Sequence, residues 1–315
     1  MKLSLNRDLS ARFLRLITLL REGASGERAA AELGVSRVAV WKMVKKLEEW
    51  GYGIEKGRKG YRIASEPAFS PFKASKIVFE TQLFQQFVFF KEVDSTNKVA
   101  RELSEAGEAV VMAERQTAGR GRLGRQWMSE RGGLYFSMAL SPGLPVSEVP
   151  KLTLTAGVAV AEALSFANAK LKWPNDVLID GKKVCGILSE VVGEDLSVRV
   201  VVGIGINVSN PVPDDVPAVN LRQLGYEVGI LDVFEPVMQR FSQRYIQLIS
   251  GEWEKIREKW MELSDTIGRR VKVSVSGKSY EGVAVGIDSD GALLIDNGGL
   301  KGLKRVFSGE CFYMK

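Results

Sequence analysis

The sequence predicts a multidomain α+β chain with an N-terminal winged helix-turn-helix, a central mixed α/β domain and a small C-terminal β-barrel. Three observations carry that reading. The excess positive charge is confined to the first 66 residues, which hold 14 Lys+Arg against 8 Asp+Glu, while the rest of the chain is balanced. Apolar residues recur with helical period in three short blocks before residue 50, then alternate between strand-like and helix-like stretches from about residue 72 to 262. Beyond residue 266 they break into short strands separated by glycine turns. The expected domains are therefore 1–66, 67–264 and 265–315.

Composition narrows the chemistry. The chain has 315 residues, 45% hydrophobic and 26% charged, with net charge +6 and no histidine. Without imidazole, Ser-His-Asp hydrolases, HExxH proteases and C2H2 fingers are excluded. Cys185 and Cys311 alone build neither a disulfide framework nor a four-thiolate zinc site, so buried reduced thiols are expected, with no zinc. No uncharged apolar run reaches the roughly 18 residues of a spanning helix, and Arg7, Asp8, Arg12 and Arg15 interrupt the N-terminal apolar stretch. The expectation is a cytoplasmic protein with no signal peptide and no membrane segment.

In the basic head, residues 10–22 place Phe13, Leu14, Ile17 and Leu20 on one helical face. The stretch 23–26 ends that helix, and Gly26 opens a second over 27–33. Gly34 supplies a turn, and Ser36 caps a third helix carrying Val40, Val44 and Leu47, which stops at Gly51. This spacing predicts a helix-turn-helix whose recognition helix offers Arg37, Val38, Trp41 and Lys42 to base edges, with Gly26 and Ser36 as further DNA-contact candidates. Strands at 52–56 and 60–63 flank Gly57-Arg58-Lys59, a basic wing tip for phosphate contact through Arg58 and Lys59. The alternative is a small helical bundle used for packing or dimerisation.

The central stretch predicts strands at 88–93, 109–115, 134–139, 171–173, 184–191 and 198–206, and helices at 98–106, 151–166 and 233–250. Its most unusual segment is 116–127, where Arg120, Arg122 and Arg125 alternate with Gly119, Gly121 and Gly124. The glycines match GxGxxG formally. However, no acidic residue follows about 20 positions on and no helix opens at the third glycine, so a dinucleotide site and NAD are rejected. A Walker loop fails as well, because Lys272 stands where its first glycine belongs. A Gly/Arg loop combines backbone freedom with guanidinium groups that fork onto phosphate or carboxylate oxygens, and can close over an anion. The alternative is a floppy basic surface loop.

Downstream, Lys172-Trp-Pro-Asn-Asp176 ends a strand in a tight turn, projecting Asn175 and Asp176 as oxygen ligands for a Mg2+ that escorts phosphates, or forming a turn and nothing more. Lys183 precedes an apolar run and can hold an ammonium at the edge of a buried site. Upstream, Asp94-Ser-Thr-Asn97 either supplies polar groups or simply caps the next helix. The glycines of 203–207 (GIGIN) leave room for a ligand or for close strand packing.

Taken together and in this order, residues 94–97, 119–127 (GRGRLGRQW), 172–176 (KWPND), 182–188 (KKVCGIL) and 203–207 resemble the biotin protein ligases. With the winged helix, the whole chain resembles the bifunctional members that also repress the biotin operon. The resemblance implies a central domain of the class II aminoacyl-tRNA synthetase-like type and an SH3-like C-terminal barrel. It also implies a two-step reaction, in which biotin's carboxylate attacks the α-phosphate of MgATP to give biotinyl-5′-AMP. A lysine of the biotin carboxyl carrier protein of acetyl-CoA carboxylase or a related carboxylase then takes the biotinyl group.

By the same resemblance, Ser95, Thr96, Asn97 and Gln116 line the biotin pocket, Arg120, Gly121 and Arg122 close over biotin and phosphate, and Lys183 contacts the biotin carboxylate. Lys183, Arg122 and Asp176 are the catalytic candidates, with Asp176 assisting a magnesium ion. The nucleotide side takes Arg120, Arg122, Arg125, Trp127, Asn175, Lys183 and Asn207. Biotinyl-5′-AMP acts as corepressor, the chain forms a homodimer when it is bound, and operator DNA is the second partner. The chain lacks the arginine some relatives carry near the C-terminus, which removes one expected nucleotide contact. Competing readings are a ligand-sensing regulator without ligase activity and a ligase for another acid such as lipoate.

Overall fold

A computed structural model describes every residue except 194–197, 214–215, 276, 299–301 and 315. The chain begins in the central sheet. Strand β1 (Lys2–Asn6) pairs antiparallel with β4 (Gln86–Phe90), in register from Lys2 opposite Phe90 to Asn6 opposite Gln86. Leu3 and Leu5 point inward and Ser4 outward, the period of two that a half-buried edge strand needs. Residues 2–6 thus lie outside the head that the boundary at 1–66 assigned them to. Five alternating residues against a helix start are too short a signal to read.

Asn6 then caps α1 (Arg7–Glu22), its side chain accepting from the Leu9 amide at 2.8 Å. Helices α2 (Gly26–Leu33) and α3 (Arg37–Glu49) are capped by Ser25 and Ser36, and Gly34 makes the turn between them at φ 62°. The wing is the hairpin β2 (Gly53–Gly57) and β3 (Gly60–Ser65). Its strand β3 is tied, just past the turn, to the α1–α2 connection by paired backbone bonds between Ala24 and Tyr61. Gly60 has φ 113°, and a Cβ there would lie 2.2 Å from the Ala24 carbonyl, so only glycine fits.

Glu66-Pro67 to Ser70-Pro71 reads from the sequence as a linker, but the structure builds a junction there. Ser70 caps α4 (Pro71–Glu80), with proline in its first turn. The ring of Phe72 packs 4.5 Å from Phe13 and 6.2 Å from Tyr52, while Trp50 lies edge-on to Phe89 of the sheet at 5.3 Å. Buried hydroxyls pair across the seam, Ser10 with Ser75 at 2.6 Å and Tyr52 with Ser70 at 2.7 Å. Head and sheet therefore share one apolar core.

Among the described residues the central sheet has eight strands in the order β1-β4-β5-β6-β10-β9-β8-β7. The further strands are β5 (Ala109–Ala113), β6 (Leu134–Leu140), β7 (Lys170–Lys172), β8 (Asp176–Ile179), β9 (Lys182–Val192) and β10 (Arg199–Ile206). Only β4 and β5 run parallel, joined through α5 (Thr96–Leu103). That helix covers Val88, Val111, Ala139 and Val201 on one face. The opposite face, including Phe87, Val110, Met138 and Val200, is buried in the main core with α6 (Val149–Ala163), α7 (Ile230–Ile249) and α8 (Trp253–Leu263). Among the described residues no helix is long and apolar enough to cross a membrane.

The C-terminal unit is a five-stranded antiparallel sheet in the order β14-β13-β12-β11-β15, formed by β11 (Arg270–Val275), β12 (Lys278–Ile287), β13 (Leu293–Asp296), β14 (Lys304–Val306) and β15 (Glu310–Tyr313). Strand β15, not anticipated from the sequence, pairs with β11 and carries its N-terminal turn to the central domain.

One ion cluster fixes the head's exit. Arg21 donates twice to Glu66 at 2.6 and 3.1 Å, and Lys73 adds a third contact at 2.9 Å. The Arg21 guanidinium above all, with Lys73 behind it, holds the Glu66 carboxyl at about 2, against an ordinary 4.5. A depressed carboxyl stabilises the fold above its unfolded value, and that stabilisation drains away as pH falls from 4.5 toward 2. Glu66→Gln should therefore lower Tm at neutral pH, and the gap to the native protein should close across that window. A gap that persists unchanged at pH 2 would show that the contribution is not ionic.

Candidate active site

A cleft of about 230 Å³ opens where the sheet meets the C-terminal unit. Its walls come from the β4–α5 turn, the Gly/Arg loop, the β7–β8 hairpin, strands β9 and β10, and the turn before β15. All of the residues expected to bind biotin reach it.

At its inner end lies a polar cluster in otherwise apolar surroundings. Ser95 precedes α5 but makes no side-chain cap, so this segment is not an ordinary helix cap, and Thr96 and Asn97 are buried in the first turn. The Gln116 carbonyl oxygen accepts from the Thr96 amide at 2.7 Å and its hydroxyl at 3.0 Å, while the Gln116 amide donates to Ser129 at 2.9 Å. The Ser137 hydroxyl, fully buried on β6, sits 2.7 Å from Thr96 Oγ1 and 2.6 Å from Asn97 Oδ1. Such a chain of partners keeps each polar group at low cost inside the protein. Ser137 was not singled out from the sequence, although a single serine in the apolar run 134–140 was the available signal.

Glycines make the space. A Cβ on Gly203 would fall 2.0 Å from Asn97 Oδ1, and one on Gly205 would fall 2.4 Å from Trp127 Nε1. Gly186, opposite Gly205 across β9 and β10, would meet the Trp127 ring at 3.0 Å and the Lys183 side chain at 3.2 Å. Trp127 therefore lies flat over a bare stretch of sheet, and its ring stacks under the Lys183 ammonium at 5.2 Å. Lys183 pairs with Asp176 at 2.6 Å, which joins β9 to the KWPND hairpin. The Trp173–Pro174 peptide is cis.

The Gly/Arg loop is folded, not floppy. Gly121 donates to Arg125 O at 2.7 Å and Trp127 to Gly119 O at 2.9 Å, leaving Leu123 exposed at the tip. Arg122 turns inward and donates to Asn175 Oδ1 and to the Gly309 carbonyl, both at 3.2 Å. Both acceptors are neutral, and Arg122 forms no ion pair among the described residues. Burial pulls its pKa below the ordinary arginine value, opposed by the nearby Asp176 carboxylate and reinforced by Arg125. Arg125 pairs with Glu310 on the C-terminal unit, and Arg120 with Glu190 on β9 at 3.3 Å.

Two expectations change. Asn207 does not line the cleft; it is buried, and its carbonyl accepts from Asn210 at 3.1 Å. Asn175 does reach the cleft, but its amide donates to Ile187 O at 2.7 Å and its carbonyl serves Arg122, so it does not project as a free oxygen ligand. Residues 309–312, not assigned to the site from the sequence, also form part of the wall. Their signal is tertiary, since a glycine turn in a barrel reveals no destination. Both cysteines are free and buried, and burial pushes the Cys311 thiol up to about 11.

A second groove runs between α3 and the wing, lined by Gly26, Arg37, Val38, Trp41 and Arg58 among others. Val38 and Trp41 are 62% and 45% exposed, unusual for large apolar side chains, and Lys42 and Lys59 are exposed beside them. Lys45 stacks on Trp41 at 4.0 Å and Arg37 pairs with Glu27 at 2.8 Å, while Ser36 is occupied in capping α3.

Comparison with known proteins gives three matched stretches. Residues 89–207 match the biotin/lipoate A/B protein ligase family, 266–314 the biotin protein ligase C-terminal domain and 11–62 an HTH domain. The bifunctional ligase/repressor BirA of Bacillus subtilis is 35% identical over 92% of this chain and 93% of its own. That of Escherichia coli is 32% identical over 94% and 95%. Among solved structures, the biotin protein ligase of Aquifex aeolicus in complex with biotin and ATP superposes with TM-score 0.63 at 32% identity, covering 73% of this chain and 98% of the other. The chain belongs to the biotin protein ligase family, with the bifunctional ligase/repressors as its full-length relatives.

Proposed function

We propose that the cleft activates biotin with ATP and passes it to a carrier lysine, and that the head binds operator DNA in response to the activated vitamin. The observation that carries the catalytic half is Arg122, a half-buried cation held by neutral acceptors and facing the Lys183–Asp176 pair. An uncompensated guanidinium in a cleft is a site for an anion. The polar cluster of Thr96, Asn97, Gln116 and Ser137 suits a small polar head group at the inner end.

In the first step a biotin carboxylate oxygen forms a bond to the α-phosphorus of ATP, and the bond from that phosphorus to the bridging oxygen breaks, releasing pyrophosphate. Two anions must approach, and the ammonium of Lys183 together with Arg122 offsets their repulsion as charge builds on the phosphate. Magnesium arrives as MgATP. Asp176 is the carboxylate beside Lys183 that would share it, most ligands coming from phosphate and water. In the second step the carrier's lysine amine attacks the acyl carbon, the acyl–phosphate bond breaks and AMP leaves. Arg120 and Arg125, with Trp127, border the nucleotide side and keep water from the mixed anhydride.

Similarity to the ligase/repressors favours biotin as the acid and biotin carboxyl carrier protein as acceptor; a dimer formed on adenylate binding would bring two α3 helices to a two-fold operator. A cytoplasmic location goes with that reading.

The deciding experiment is biotin-dependent ATP–pyrophosphate exchange with Mg2+, repeated with lipoate and octanoate. Exchange with biotin alone is expected, and Lys183→Ala should lower it by roughly a thousandfold, the scale of losing a transition-state charge contact. Exchange with lipoate alone would reassign the acid, and none with any acid would favour a sensor without ligase activity.

Arg122→Gly should release biotinyl-5′-AMP into solution and label bystander proteins. Retention equal to native would remove Arg122 from that role. For the head, Arg37→Ala with Lys42→Ala should weaken operator binding in a gel-shift titration and leave exchange at the native rate. An unaltered shift would place DNA contact elsewhere.

A further inference from the structure

The carboxylate of Glu190 lies behind the cleft and takes no part in the chemistry above. It is on β9 opposite Val201 of β10, largely shielded, and three donors converge on it. Asn97 Nδ2 donates to Oε2 at 2.7 Å, Arg120 donates to the same oxygen at 3.3 Å, and Arg101 of α5 reaches Oε1 at 3.4 Å. One of these donors belongs to the floor of the acid pocket and another to the loop that closes over it.

We propose that Glu190 is the positioning residue that couples the orientation of Asn97 to the closure of the Gly/Arg loop. A carboxylate only accepts, so it fixes which end of the Asn97 amide faces it. The NH2 end is drawn to Glu190 and the carbonyl is left beside Ser137, over the bare backbone of Gly203. The same oxygen holds Arg120, the first guanidinium of the loop. The other two are held from the opposite side, Arg122 by Asn175 and Gly309 and Arg125 by Glu310. The loop is thus strung between the C-terminal unit and one carboxylate of the sheet. Releasing that end loosens the lid and frees Asn97 to turn, while the groups that meet the reacting phosphate, Lys183 and Arg122, keep their places.

This rests on the reading of the cleft as a biotin-activating site, and the test separates the two. Pyrophosphate exchange, release of preformed biotinyl-5′-AMP and thermal melting would be measured on the native chain, Glu190→Gln, Arg120→Gln and the double variant. Glu190→Gln keeps the shape and removes the charge. It is expected to raise KM for biotin and the adenylate release rate each by about tenfold, the loss of one charge-assisted hydrogen bond, with kcat at saturation held. Arg120→Gln should speed release, and the double variant should release no faster than Glu190→Gln.

Native KM and release in Glu190→Gln would overturn the proposal, as would additive release rates in the double variant, or a fall in kcat with KM unchanged. If Glu190→Gln does not fold, the exposed Arg120→Gln decides alone, since release at the native rate denies the tether. Absence of exchange by the native chain with every acid overturns the cleft reading itself, and the assignment of Glu190 falls with it.

Discussion

The site depends on one stretch of sheet being bare. Strand β10 is apolar and almost wholly buried, β9 buries Val184, Cys185 and Ile187 beside it, and any side chain at Gly186, Gly203 or Gly205 would strike Trp127, Asn97 or Lys183. The missing Cβ atoms let an aromatic ring and an amide lie directly against backbone, which opens polar volume inside a sheet whose other positions are packed with valine and isoleucine. Polar groups placed there must find partners or be lost to desolvation. That requirement explains why Thr96, Gln116, Ser129, Ser137 and Asn97 form a continuous hydrogen-bonded set.

The same economy governs charge. Three arginines in six residues repel one another unless each is answered, and the answers come from three different elements. Glu190 on β9 meets Arg120, Glu310 on β15 meets Arg125, and Arg122 meets only neutral oxygens. The loop is pinned at its outer cations and left unneutralised at its inner one. Electrostatic demand for an anion is thereby concentrated at one point of the cleft, beside Lys183. A basic loop with all three charges free would attract phosphate from any direction and hold it nowhere in particular.

How much of this was legible depended on how local its cause was. The three head helices, their serine caps and the wing follow from period, capping and glycine turns, and residues 10–63 form them with ends displaced by a few positions. The polar quartet at 94–97, the arginine loop and Lys183 stood out because charged and hydroxyl residues interrupt apolar strands. Elements set by tertiary contact did not stand out. Strand β1 exists because the edge of β4 is free, and α4 begins at a Ser-Pro that reads as a linker until Phe72 is seen between Phe13 and Tyr52. Asn207 looked like a site residue because it ends a glycine-rich strand, yet its side chain is turned to Asn210. The β14–β15 turn entered the cleft because the C-terminal unit docks there, which no local pattern encodes.

The junction of head and sheet has the widest consequence. The chain crosses it twice, from β1 into α1 and from β3 into α4, and aromatic rings from both sides interlock between the crossings. Two covalent crossings with a shared core leave little freedom for the head to swing, because any rotation must break the Ser10–Ser75 and Tyr52–Ser70 bonds and expose Phe72 and Phe89 together. The direction of α3 is then set by the plane of the central sheet. In the proposed dimer, the spacing of the two recognition helices would follow from how the two sheets meet. A ligand bound on one face of that sheet would then influence DNA by favouring the pairing of two rigid bodies, without any hinge in the linker.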